Sequence, residues 1–468
     1  MRLIDALANG SQLFQGGGLR ARVFRNGVSN AVLTFSGTIL SFLLAIVLAR
    51  VLGAERYGVY VYVFALVSML AIPAQSGLTS LVARETAKAV ALERWGLMWG
   101  IWRWATRTAV FYWVLLVLLV GAFVHAFAVR FTGAQLDAFF WGLLLGFFVV
   151  LEDIRAGASF GIARVATGQL PEMIFRRALL ITFVLGVALL YPTYKLTAAN
   201  VVALHALGEA LALALGVGML WKACPASPTS SQVSAHERRQ WRKAVLPLAL
   251  PSGVQLTSQN IGILLLGVFS GAADVGIYRI TLRGTMLVVF GLLATNWVVA
   301  PHFARLHAAG ETLRIKHLAI WSARASFAVG ILVVLVFAIG GGKILGFVFG
   351  QEFARGYVAL VIVGCGQLVN TAVGPLDFLL NMTGHERATA TSAAGALACN
   401  VIFSLILIPK LGINGAALAM ALALLVWDVA LFVSVRRLLG IDCCAFLKID
   451  SSITSPNGSG FSLKIQNP

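Results

Sequence analysis

Long apolar runs bounded by charge recur along the whole chain. Twelve of them lie near 29–50, 57–81, 105–128, 138–162, 173–192, 197–221, 246–268, 276–300, 320–348, 356–381, 388–409 and 412–435. A helix of about 20 residues crosses a hydrocarbon core roughly 30 Å thick, and each run is of that order. The segments between them are short, and none could hold a soluble domain. The pattern therefore predicts an all-α polytopic membrane protein with twelve transmembrane helices. Residues 1–28 form an N-terminal segment without the compact apolar core and cleavage site of a signal peptide. The first helix is thus expected to serve as an uncleaved insertion signal. The tail, residues 441–468, is rich in Ser, Gly and Asn and is expected to be disordered.

The pattern also repeats. Gly53-Ala54-Glu55-Arg56-Tyr57-Gly58-Val59-Tyr60 matches Gly271-Ala272-Ala273-Asp274-Val275-Gly276-Ile277-Tyr278 at an offset of 218. Trp104 and Arg107 recur as Trp321 and Arg324, and Thr132-Gly133 corresponds to Phe349-Gly350, both at 217. Thr167-Gly168 pairs with Thr383-Gly384 at 216. A stable offset over so long a stretch implies two six-helix halves, 29–221 and 246–440, joined by a basic linker at 222–245. Six is even, so the halves insert in the same orientation. They form parallel repeats, two lobes around a central cleft that holds the substrate path.

Composition strengthens the membrane assignment. Of the 468 residues, 59% are hydrophobic and only 12% charged, against about 45–50% and about 25% in soluble domains. The net charge of +18 would suggest nucleic acid on a soluble chain. Here it maps onto topology. With the N-terminus in the cytoplasm and sides alternating, 27 of the 36 Lys and Arg fall on the cytoplasmic side. That is a strong positive-inside bias. It places both termini in the cytoplasm and leaves no charge run that calls for nucleic acid. The five cysteines show no metal-ligand spacing. Gly342-Lys343 lacks the upstream glycine of a phosphate-cradling loop, so no metal and no cofactor are expected, and energy must come from an ion gradient, substrate supply or a partner. Gly157-Ala158-Ser159-Phe160-Gly161 fits a nucleophile-elbow pattern but sits on an apolar helix, where small-residue packing accounts for it.

The loop Leu48-Ala49-Arg50-Val51-Leu52-Gly53 followed by Tyr57-Gly58-Val59-Tyr60 resembles the first hairpin of polysaccharide-repeat flippases. Gly77-Leu78, the Arg84-Glu85 helix end, and Gly276-Ile277-Tyr278 with Arg283 are similar to the same group. So are Thr383-Gly384-His385-Glu386-Arg387, Asn400, and Gly412-Ile413-Asn414-Gly415-Ala416-Ala417. On these motifs the chain resembles the oligosaccharide flippase (Wzx-like) branch of the multidrug/oligosaccharidyl-lipid/polysaccharide exporter superfamily, over about residues 20–440. The resemblance implies two lobes alternating between inward- and outward-open states in a bacterial inner membrane. It implies a polyprenyl-diphosphate-linked oligosaccharide as cargo, moved to the periplasmic leaflet for O-antigen (lipopolysaccharide), capsule or exopolysaccharide synthesis. It also implies a polysaccharide polymerase and chain-length machinery as partners. The alternatives are a multidrug/cation antiporter of the same superfamily and, from another class, a membrane glycan polymerase or ligase. Helix one carries no acidic residue, and the outer loops are too short for a large periplasmic domain. Both observations favour the flippase, which is not an enzyme.

Charges inside membrane helices are costly and so nominate function. Arg279 and Arg283 are four apart and share one helix face. Their first-half counterparts are Val61 and Ala65, so the duplication does not explain them. They would suit a diphosphate, or would snorkel to headgroups. Arg50, whose counterpart is Val268, is a further candidate for the cleft or an interfacial anchor. Arg155, in Glu152-Asp153-Ile154-Arg155, would contact substrate or neutralise a neighbouring carboxylate. Gln255, Gln259 and Asn260 make helix seven polar and would bind sugar hydroxyls or bridge helices. Glu209, Asp377 and Asp428 are isolated acids, each a candidate for ion coupling or for pairing with an arginine.

Overall fold

The computed structural model describes residues 19–75, 77–126, 133–224, 233–441 and 444–446. Among them every regular element is helical, with no strand. The first half comprises α1 (Leu19–Leu70), α2 (Ile72–Gln75), α3 (Leu78–Ala91), α4 (Trp95–Ala126), α5 (Gly133–Gly161), α6 (Val165–Leu190) and α7 (Ala198–Ala223). The second comprises α8 (Ala235–Phe269), α9 (Ala272–Thr285), α10 (Phe290–Ala308), α11 (Thr312–Phe349), α12 (Tyr357–Val373), α13 (Leu376–Met382), α14 (Glu386–Leu411) and α15 (Ile413–Leu439).

Eight of the described helices are long and apolar enough to cross a membrane, or nine with the bent pair α9 and α10 as one span. The difference from twelve runs has physical causes. The α1 helix joins two runs, 29–50 and 57–81, without an intervening loop. Gly53 alone interrupts it, at φ 72 and ψ 174. Ser41 and Phe64 nevertheless line the same pocket of about 100 Å³. An unbroken helix would hold them about 34 Å apart, so the chain doubles back at Gly53. The α5 helix carries Glu152, Asp153 and Arg155, and α8 carries Gln255, Gln259 and Asn260, which lower the apolarity of both. The α9 and α10 helices meet at a 49° bend where one run, 276–300, reads as continuous.

Boundaries shift where charge hid a helix. The basic linker contains the first turns of α8, which Ser234 starts by a reciprocal bond with Glu237. Of the tail, Ala445 docks by donating to Ala372 O at 2.8 Å, and its carbonyl accepts from Arg324 Nε at 3.0 Å. This part of the expected disordered tail is ordered. Residues 1–18 and 447–468 lie outside the described residues.

The repeated octapeptides meet at the junction of the two halves. Gly271 turns the chain between α8 and α9 at φ 102 and ψ 173, matching Gly53. Beyond those turns the second arm of α1 crosses α9 at backbone contact. A Cβ on Gly58 would lie 1.6 Å from Ala272 O, and one on Gly276 would lie 2.4 Å from Ala54 O. The contact is reciprocal, residue for repeated residue. The Thr167-Gly168 match to Thr383-Gly384 behaves differently. Gly384 turns the chain at φ 81, whereas Gly168 is inside α6 and the first-half turn falls at Ala163, φ 59.

Two charged side chains also join the halves at this end. Glu352 accepts the Ala54 backbone N–H at 2.8 Å, which caps the second arm of α1. Arg50 donates from Nε to Val348 O at 3.0 Å and also reaches Phe347 O, which caps the C-terminus of α11. Each half thus caps a helix end of the other. Away from the crossing, α10, α11, α13 and α15 close a smaller core of their own around Phe303, Leu379 and Val435.

Candidate functional site

The two arms of α1 diverge from Gly53 and enclose, with α6, α7 and α9, a pocket just beyond the crossing. Its volume is about 100 Å³, and its lining includes Arg176, Arg177, Arg279 and Arg283. Two of these arginines come from each half. Arg279 and Arg283 lie on one face of α9, two and three turns past Gly271, as their spacing of four requires. Arg176 and Arg177 are on α6, where a π-helical turn at Pro171–Phe175 interrupts the regular helix just before them.

The apolar run near 173–192 begins just before Arg176 and Arg177, which counts both among the 27 cytoplasmic cations expected from the sequence. The helix in fact starts at Val165, so the two arginines sit near its middle. Pro171, Glu172 and the arginines themselves mask the first two turns. The available signal is helix length: about 20 residues are needed to span, and counting back from Leu190 puts Arg176 well inside.

Of the four, Arg176 alone is ion-paired among the described residues. Its Nη1 donates to Glu209 Oε2 at 3.0 Å, and Nη2 lies 3.7 Å from Glu172 Oε1. Arg177 donates to Gly37 O at 2.5 Å, which ties α6 to the first arm of α1. Arg283 donates from Nη1 to the Met286 sulfur at 3.9 Å and has no ion pair among the described residues. The second arm of α1 adds aromatic side chains to the lining. Tyr57 stacks on Tyr60 and Tyr60 on Phe64, with centroids 6.2 and 6.5 Å apart, and Tyr60 Oη bonds His205 Nδ1 at 3.1 Å. Sequence reasoning missed these three side chains as site residues, because aromatic residues are abundant everywhere in the chain.

Such an arrangement can bind an anion of more than one charge. Guanidinium forks fit planar and phosphate oxygens, and three of the four have no carboxylate partner among the described residues. No group of three or more His, Cys, Asp or Glu able to hold a metal occurs among those residues.

The other candidates lie elsewhere. Arg50 is exposed at the crossing and caps α11 rather than lining the pocket. Arg155 is 4% exposed and consumed internally: it pairs with Glu152 through two bonds of 2.6 and 2.7 Å and donates to Thr167 O and Gly168 O, both at 2.7 Å. This is self-neutralisation that also caps the α5–α6 turn, and it leaves no donor for cargo. Asn260 is buried and donates to Leu256 O at 2.9 Å, and Gln259 is exposed. Gln255 and Asp377 line a second, largely apolar cavity of about 800 Å³ between α8, α13, α14 and α15, with Glu386 and Trp427. Asp428 is buried against α12, where Oδ1 accepts from Asn370 at 2.7 Å. Glu209 stands directly behind the arginine pocket.

Comparison with known proteins gives this geometry its context. Residues 23–307 match the family described as "Polysaccharide biosynthesis protein". The chain belongs to that family. It is 26% identical over 411 residues to the "Probable low-salt glycan biosynthesis flippase Agl15" of Haloferax volcanii, covering 85% of this chain and 80% of that protein. Its fold is similar to the inward closed conformation of the lipid II flippase MurJ, with TM-score 0.68 and 12% identity over 87% of each chain. It is equally similar to the inward-facing conformation of a multidrug-resistance MATE transporter of the MOP superfamily, with TM-score 0.68, 13% identity, and 86% and 94% coverage. This family member is thus a multi-pass membrane protein with the MOP transporter fold. It stands with flippases and transporters rather than with enzymes, as the sequence resemblance implied.

Proposed function

We propose that this family member flips a polyprenyl-diphosphate-linked oligosaccharide from the cytoplasmic to the periplasmic leaflet of a bacterial inner membrane. In this reading twelve spans form two six-helix lobes that rock about the Gly58–Gly276 crossing. The crossing closes the periplasmic end, and both termini face the cytoplasm. The product feeds O-antigen, capsule or exopolysaccharide synthesis, with a polymerase and chain-length machinery downstream.

The observation that carries this reading is the pocket with two arginines from each half. A diphosphate is the charged part of the cargo common to every such lipid, whatever its sugars. Cations contributed from both lobes hold it where the lobes part, so binding and the rocking motion share the same residues. The cation antiporter reading fits poorly, because the same pocket is lined by four cations and no carboxylate. Family membership and the glycan-flippase relative support the cargo class.

The test is in cells. Deletion of the gene should abolish surface polysaccharide and leave lipid-linked repeat units in the cytoplasmic leaflet, and the intact gene should restore export. Drug hypersensitivity with normal surface glycan would instead support the antiporter.

A further inference from the structure

Arg176 differs from the other pocket arginines in being held from behind. Its partner Glu209 is fully buried, and only one carboxylate oxygen is engaged. Glu209 Oε1 and Arg176 Nε are both buried without a hydrogen-bond partner. A buried carboxylate with one bare oxygen leans on a single cation for its compensation, and removing that partner leaves an uncompensated charge. The same cation forms part of the pocket wall. Arg176 gives its full charge to an anion in the pocket only as Glu209 gives up its share.

We propose that Arg176 is shared between Glu209 and the anionic cargo, so that binding of a diphosphate draws one proton from water onto Glu209 Oε1. Release of the cargo restores the Arg176–Glu209 pair and returns the proton. The two events are linked through one guanidinium, and linkage of this kind is reciprocal. A proton on Glu209 strengthens diphosphate binding by the same factor as the diphosphate strengthens proton binding. This rests on the reading of the pocket as a diphosphate site.

The groups facing Glu209 single it out. From α5 come Glu152, Asp153 and Arg155, and Glu152 is bound twice to Arg155. From α6 come Glu172 and Arg177, with Glu172 farther from Arg176 and more open to solvent. His205, on the same helix as Glu209, has Nδ1 engaged by Tyr60 of α1. Arg279 and Arg283 of α9 line the pocket whose wall Arg176 shares. Asp153 is the rival acceptor and supplies the control.

The experiment uses the purified protein in lipid nanodiscs, titrated with farnesyl diphosphate at pH 8 by calorimetry in two buffers of different ionisation enthalpy. The difference between buffers gives the protons taken up per probe bound. Wild type should take up close to one proton more than Glu209→Gln. That variant, a mimic of the protonated form, should bind the probe at least about fivefold more tightly than wild type, the lower end of common coupling strengths. Asp153→Asn should behave as wild type. Equal uptake in wild type and Glu209→Gln, or uptake lost in Asp153→Asn instead, overturns the proposal. No proton uptake by wild type on binding overturns it without recourse to a variant. Failure of wild type to bind the probe overturns the diphosphate reading itself.

Discussion

Gly58 and Gly276 occupy equivalent places in a duplicated octapeptide, and each packs its bare Cα side against the backbone opposite the other. A Cβ on Gly58 would meet Ala272 O at 1.6 Å, far inside van der Waals contact. The clash is with backbone, so no rotamer change relieves it. Gly58→Leu should therefore force the crossing apart while leaving each half able to fold. Export should fall to background with protein still present in the membrane. A thiol placed at Ala54 should become reactive to an impermeant maleimide added from the side of the crossing. Unchanged reactivity would mean that the crossing is not the closure.

Arg50 and Glu352 reinforce the same end by capping helices across the junction. Bonds to charged groups contribute about 1.5–3 kcal/mol each, less where water competes. Glu352→Ala should raise the reactivity of the same Ala54 thiol, by less than Gly58→Leu does. Adding Arg50→Ala should increase it further. Measuring the two singles and the double gives the coupling, and strict independence of all three from wild type would show the caps to be idle.

Arg155 should behave as a structural residue. Removing one member of a buried pair costs about 3–5 kcal/mol, so Arg155→Ala should lower membrane protein levels and the melting temperature. Arg279→Ala/Arg283→Ala should abolish export with levels and melting temperature near wild type. Quantitative immunoblotting beside a surface-glycan assay separates the two classes.

Gln255 and Asp377 supply a test of the second cavity. It shares no residue with the arginine pocket, so Gln255→Leu should leave farnesyl diphosphate affinity within about twofold of wild type, consistent with additivity at independent sites. A tenfold change in a direct titration would show that the two spaces work as one.

The helical architecture was legible because hydropathy reports each run independently of its neighbours. The duplication was legible because Gly53, Gly58 and Tyr60 answer to Gly271, Gly276 and Tyr278, where backbone turns and close approach leave little choice of residue. Half of the pocket was legible for the opposite reason: Arg279 and Arg283 break the duplication. Arg176 and Arg177 were hidden by their neighbours, since Pro171 and Glu172 make the first turns of α6 look like a loop. The roles of Arg50 and Arg155 depend on Phe347, Val348, Thr167 and Gly168 carbonyls that they cap. Backbone carbonyls carry no mark in a sequence, so an arginine destined for a helix end cannot be told from one destined for cargo.

In the proposed mechanism arginines from both halves carry the diphosphate across. Its most direct test is transfer of a fluorescent polyprenyl-diphosphate sugar between the leaflets of proteoliposomes, read by quenching of the label left outside. Wild type should equilibrate the lipid between leaflets, and both Arg279→Ala/Arg283→Ala and Arg176→Ala/Arg177→Ala should reduce the rate to that of protein-free vesicles. Transfer at the wild-type rate by either double variant would contradict that mechanism.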